Sequence, residues 1–265
     1  MDQPPVQIGF PLRHSVLVAC SIVLAGAFVA GSIYLGFERL AAEAPPTTVA
    51  QIQPAPTVEP APIAEPVPEA PAQVTPDISM VSLGAGPFIG EATAPAAMAY
   101  WFDYQCPFCR EVELNVMPKL IADYVDSGKL RIYFKDFQFL GPDSIAAAMV
   151  ARAVWEAAPD KYGEWHRAVF QHQDGENNGW GSMEDVLALT ETISGIKITE
   201  VRDLLERRGP DYQKAIDADL AEGGQLGING TPGTIVGTQV IAGAASYQRF
   251  SAAVDAALES KPSGG

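Results

Sequence analysis

Three cysteines, three histidines and seventeen lysines and arginines are few for a chain of 265 residues that carries thirty-two acidic residues. The net charge of −15 excludes nucleic acid as a partner, because such binding needs a basic footprint on phosphate. Acidity of this size otherwise signals little beyond solubility. The shortage of cysteine and histidine also argues against zinc, which asks for four ligands. Beyond Cys106 and Cys109 the one remaining cysteine, Cys20, lies in a long apolar run, and His166 and His172 stand six apart, off a common helical face. No metal site is therefore expected. No internal repeat is visible either.

What the chain does have is a division into unlike parts. Residues 15–36 (SVLVACSIVLAGAFVAGSIYLG) form an uncharged apolar run of the length needed to cross ~30 Å of hydrocarbon as a helix. The run continues through Tyr34 and Leu35 before Glu38 and Arg39, which suits an uncleaved anchor better than a cleaved signal peptide. Arg13 and His14 precede it, whereas Arg39 is balanced by Glu38 and Glu43, so residues 1–14 are expected in the cytoplasm and the remainder outside. Leu17-Val18-Ala19-Cys20 matches a lipoprotein cleavage pattern, but most of the apolar run follows Cys20, the wrong order for such a signal. Residues 37–76 are dominated by Pro, Ala, Val, Thr and Glu, and at ~3.1 Å per residue form a semi-rigid spacer able to hold a domain roughly 100 Å from the bilayer. Residues 77–260 are expected to fold and 261–265 to form a tail.

Within that domain, residues 97–102 (AMAYWF) read as a buried strand, residues 110–126 as a helix that Pro118 should kink, and residues 130–135 as a second strand. Residues 144–227 are helical in pattern almost throughout, with segments at 145–157, 162–172, a capped start at Ser182 with Asp185 three residues on, and 200–207. A hairpin of two short strands, 234–236 and 239–241, and a last helix at 247–258 complete an α/β sandwich.

Chemistry is expected at the end of the first strand, at Cys106-Pro107-Phe108-Cys109. A purely structural disulfide here would close a very small loop and remove little entropy from the unfolded chain. A reactive pair fits better, since backbone N–H groups and the helix dipole stabilise a thiolate at a helix start. Cys106, at the cap, is then the attacking and exposed residue, and Cys109, a turn inside, the enclosed resolving one. A Thr231-Pro232 turn alone would carry no function.

The segment Phe102-Asp103-Tyr104-Gln105-Cys106-Pro107-Phe108-Cys109-Arg110 resembles the active site of the DsbA-like thiol:disulfide oxidoreductases, and Gly230-Thr231-Pro232 resembles their cis-proline loop. The similarity runs in order through most of residues 77–260. It implies a thioredoxin-like fold with a helical insertion, with Thr231 and Pro232 against the cysteine pair and substrate backbone pairing with that loop. It also implies a redox-active disulfide as the sole redox group with no cofactor, secreted or periplasmic cysteine-containing substrates, and a DsbB-like membrane re-oxidant. The implied setting is the bacterial inner membrane, single-pass, with a periplasmic domain. Two departures stand out. Tyr100 occupies the position, six before the first cysteine, where similar proteins bury an acid, and it is a poor base; Asp103 is the nearer acid in sequence. Phe108 replaces the His of strongly oxidising members. An anchor and spacer stand where isomerases have a dimerisation domain, which favours a monomeric oxidase. Competing readings are a thioredoxin-like reductase, which usually has Trp where Gln105 stands, and a non-catalytic anchored peptide-binding module.

Overall fold

The computed structural model describes residues 76–84 and 86–260. The anchor expected at 15–36, the cytoplasmic tail, all of the spacer but Pro76, and the tail at 261–265 lie outside the described residues. Among those described, no helix is long and apolar enough to cross a membrane.

Five strands form one sheet: β1 (Phe88–Ile89), β2 (Ala96–Phe102), β3 (Leu130–Asp136), β4 (Gly233–Val236) and β5 (Gln239–Ala242), in the order β1-β3-β2-β4-β5. β2 and β3 run parallel, with Tyr100 opposite Phe134, and the other pairings are antiparallel. β2 is central and buried on both faces, which is why its sequence is a nearly unbroken apolar run and not an alternating one. Its residues still alternate between two cores. Met98, Tyr100 and Phe102 face the larger one, and Ala99 and Trp101 face a smaller one with Phe137, Ile228 and Ile235.

The crossover from β2 to β3 is helical: α1 (Pro107–Asn115), α2 (Met117–Leu120) and a π-helical turn at Ile121–Val125. The kink expected at Pro118 falls just before it, at Val116, because proline is accommodated in the first turn of α2. The insertion consists of α3 (Pro142–Ala157), α4 (Tyr162–His172), α5 (Met183–Thr192) and α6 (Ile198–Gln225), and α7 (Tyr247–Ser260) closes the domain. α5 has the capping box read from Ser182 and Asp185.

Two features depart from the expected elements. β1 is a two-residue strand with no sequence pattern, held by pairing with Tyr133 and Ile132. The helix expected at 200–207 runs on to Gln225 straight through Pro210, where buried Gly209 and Tyr212 outweigh the local cost of proline. Further along α6, Gly223 allows close approach to the sheet: a Cβ there would lie 2.9 Å from the Trp101 ring.

A buried charge cluster ties the insertion to the sheet. Arg152 on α3 donates from Nε to Asp136 at 2.8 Å and pairs through Nη2 with both Asp136 and Asp219 of α6. Lys135 pairs with Asp219 and, at 2.9 Å, with Glu222, while its ammonium donates to the Ser82 carbonyl at 3.2 Å. Removing one partner of a buried pair strands the others in low dielectric at a cost of about 3–5 kcal/mol. Arg152→Ala is therefore expected to lower unfolding stability by about that amount, read as a fall in urea midpoint at unchanged slope; a change below about 1 kcal/mol would show the cluster to be energetically neutral.

Candidate active site

The site is assembled where β2 ends. Asp103 turns the chain: its carboxylate accepts from the Gln105 N–H at 2.8 Å, the Phe139 and Leu140 N–H groups at 2.8 and 3.0 Å, and the Ser144 hydroxyl at 2.5 Å. Four donors leave it no free lone pair to spend on proton transfer, so it is a pin between the cysteine loop and the start of α3. Further fixation comes from Gln138, whose Oε1 accepts from the Tyr104 N–H at 3.1 Å, and from Gln173 after α4, whose amide donates to the carbonyls of Tyr104 and Cys106 at 2.7 and 3.2 Å. The helical insertion thus holds the loop from outside.

Cys106 is the N-cap of α1 and Pro107 its first residue, the position where proline's missing N–H costs nothing. Thr231 and Pro232, joined by a cis peptide bond, lie against it, with the Cys106 thiol donating to the Thr231 carbonyl at 3.4 Å. The Thr231 hydroxyl is buried with no partner among the described residues. That carbonyl suits the neutral thiol, whereas the hydroxyl can donate to a thiolate. Cys106 was expected to be exposed, but its residue is only 4 % exposed, because the Thr231–Pro232 loop covers it. Cys109 is fully buried as expected, and both thiols are free.

The two sulfurs are electrostatically unlike. A hydrogen bond from Cys109, with smaller help from Thr231 and the N–H groups of Cys109 and Phe108, brings the Cys106 pKa down from 9.0 to about 6 against the opposing effect of burial. Burial, reinforced by the neighbouring Cys106 sulfur, pushes Cys109 well above its ordinary value. Tyr100 lies fully buried beneath the pair, and burial followed by the Cys109 charge raises its hydroxyl well above the usual phenol range. Phe108 is 63 % exposed and no cation stands in its place. Beside the loop, a groove of ≈ 330 Å³ runs between Ile228, Thr231 and Pro232 on one side and Val240 and Ala242 of β5 on the other.

The burial of Glu113 against His166 escaped the sequence reading, which weighed His166 only as a metal ligand. Glu113 lies one turn beyond Cys109 on α1, and its side chain is 3 % exposed with Oε1 3.1 Å from His166 Nε2 on α4. The spacing Cys109–Glu113, four residues on one helix, was a usable signal, since it puts the carboxylate on the buried face. Among the described residues no three metal-ligating side chains gather.

The thioredoxin family model Thioredoxin_4 matches residues 82–256. The chain belongs to the thioredoxin family. Among curated proteins this family member is 26 % identical over 180 residues to disulfide bond formation protein D of Bacillus subtilis, covering 68 % of this chain and 80 % of the relative. Among solved structures it resembles the thiol-disulfide exchange protein alpha-DsbA2 of Wolbachia pipientis (TM-score 0.58, 26 % identity, 64 % of this chain and 86 % of that one). Its fold also matches oxidised BdbD of Bacillus subtilis (TM-score 0.61, 24 % identity, 67 % and 95 %).

Because the folded-state pKa of Cys106 lies below the ordinary 9.0, its thiolate favours the folded reduced protein fully above pH 9; the contribution shrinks as pH falls and is gone below about 6. Ultraviolet titration of the reduced protein should therefore show one thiolate step near pH 6, and alkylation at neutral pH should label Cys106 and not Cys109. A step near 9 or labelling of Cys109 would reverse the assignment.

Proposed function

We infer that this protein is a thiol:disulfide oxidoreductase that forms or exchanges disulfides in secreted or periplasmic proteins through the Cys106–Cys109 pair. The observation that carries the reading is the asymmetry of the pair: one sulfur at a helix cap with a pKa lowered to about 6, the other fully buried. A thiolate stable near neutral pH is a good leaving group, so Cys106 both accepts and releases a mixed disulfide readily, while Cys109 resolves it. The redox electrons reside on the cysteines, and no cofactor is needed. The groove beside Thr231 and Pro232 and the exposed Phe108 offer extended and apolar contact to an unfolded cysteine-containing chain. Relatives named for disulfide bond formation and thiol-disulfide exchange support the same chemistry.

The direction proposed is oxidation, with a DsbB-like membrane re-oxidant, acting as a monomer from a periplasmic position. Lowering Cys106 from 9.0 to about 6 stabilises the reduced form by three pKa units (9 − 6), on the order of 90 mV in a two-electron couple. Without a cation at Phe108, the potential should fall between the roughly −270 mV of thioredoxin and the roughly −120 mV of DsbA. Glutathione redox titration tests this, and Phe108→His should raise the potential. A wild-type value at or below that of thioredoxin would replace the oxidase by a reductase.

The proposed architecture is an anchor at 15–36, a spacer at 37–76 and a catalytic domain at 77–260. The full chain should fractionate with membranes, and protease added to spheroplasts should remove the domain; protection of the domain there would invert the orientation.

A further inference from the structure

We propose that Glu113 and His166 act through Tyr100 as a buried proton relay for Cys109, supplying a proton when its thiolate leaves and withdrawing one when it attacks. This rests on the oxidoreductase reading above and concerns how its enclosed sulfur is served.

Cys109 has no exposure, so solvent cannot protonate it directly. The Asp103 carboxylate is consumed by four donors. Besides Cys106 and Thr231, the Tyr100 hydroxyl interacts with the Cys109 sulfur, and Glu113 is among the charges acting on Tyr100. That hydroxyl nonetheless lacks a hydrogen bond of good geometry among the described residues, so its proton is uncommitted. Since burial keeps Tyr100 protonated, it can give a proton to sulfur only while receiving another. In the proposed relay that proton comes from Glu113, whose charge acts on Tyr100, and from His166 beside it. Their facing atoms lie 3.1 Å apart but out of line for a good hydrogen bond, and neither has another partner among the described residues. His166 is held from its other nitrogen by Tyr104 Oη at 3.0 Å and, more loosely, Tyr162 Oη at 3.5 Å.

Beside this pair a cavity of ≈ 50 Å³, lined by Glu113, His166, Met117, Pro118 and Arg167, leads to the exposed Arg167. A water needs about 10–15 Å³ and a few polar partners, so the cavity can hold one between the pair and solvent. The titratable and charged groups around the pair are Cys109 on α1, Tyr100 on β2, Tyr104 just after it, and Tyr162 and Arg167 on α4. Asp136 of β3 acts on Tyr104 and Tyr162, and Arg152 of α3 acts on Tyr162. β1 and α2 contribute no charge to the cavity, only Ile89, Met117 and Pro118.

The step balances as follows. A substrate thiolate attacks Cys106 Sγ, the Cys106–Cys109 bond breaks, and its electron pair stays on Cys109 as a thiolate. The Tyr100 hydroxyl proton passes to that sulfur as Tyr100 takes a proton from the Glu113–His166 pair, which is recharged from solvent. A second substrate thiolate attacks the mixed disulfide and releases Cys106 as a thiolate. Two electrons move from substrate dithiol to protein disulfide; of the two protons lost by the substrate thiols, one is balanced by uptake at Cys109 and one remains in solvent.

The test uses the oxidised protein with reduced glutathione between pH 5 and 9, with rates expressed per glutathione thiolate. For wild type the normalised rate should fall as pH rises across this range. Glu113→Gln and Tyr100→Phe should each react about tenfold more slowly at low pH and flatten that fall, less than the ~10²–10⁴ of full general-acid catalysis because a thiolate already leaves well. Variants that match wild type in rate and profile would overturn the relay while leaving the oxidoreductase reading intact; a wild type that does not exchange with glutathione would overturn both. Should Glu113→Gln fail to fold, Tyr100→Phe, which removes one unpartnered hydroxyl, decides alone.

Discussion

In the proposed reaction a thiol with no exposure, Cys109, is broken out of a disulfide and formed again in every turnover, and that constraint bears on every part of the site. Burying Cys109 against the central strand puts it on Tyr100, because β2 alternates its side chains and residue 100 faces the α1 side. Burial raises Cys109 and leaves the ionisable role to Cys106 at the helix cap, where the Cys109 thiol itself supplies the largest stabilisation. The inequality between the sulfurs comes from one helix beginning at Pro107 and packing on one strand.

The insertion participates in that arrangement and does not merely decorate the sheet. Gln173 and Ser144 reach the cysteine loop, and His166 reaches α1 from α4. The cysteine loop and α1 are therefore held here by residues that a minimal sheet with its crossover helix would lack.

The cysteine motif, the order of β2 to β5 and the helices between them, and the capping box at Ser182 were legible in the sequence because each is set by neighbours within a turn or a strand. The exposure of Cys106 was not, since it depends on a loop more than a hundred residues later, whose carbonyl meets the sulfur. The pairing of Glu113 with His166 was missed for the same reason: each alone is an ordinary polar residue of a helix, and only tertiary packing turns them toward each other. The extent of the helix read at 200–207 was not legible either. Local propensity ends a helix at Pro210, yet burial of Gly209 and Tyr212 carries α6 through.

The cluster of Arg152, Asp136, Asp219 and Lys135 has a consequence for heat. Charged groups are hydrated with strongly negative entropy, so the penalty for keeping them dry falls as temperature rises, while the gain from burying apolar surface levels off. The joint between α3, α6 and β3 should accordingly strengthen on warming relative to the apolar contacts around it. The insertion, and with it the residues that clasp the cysteine loop, would then be among the last parts of the domain to loosen.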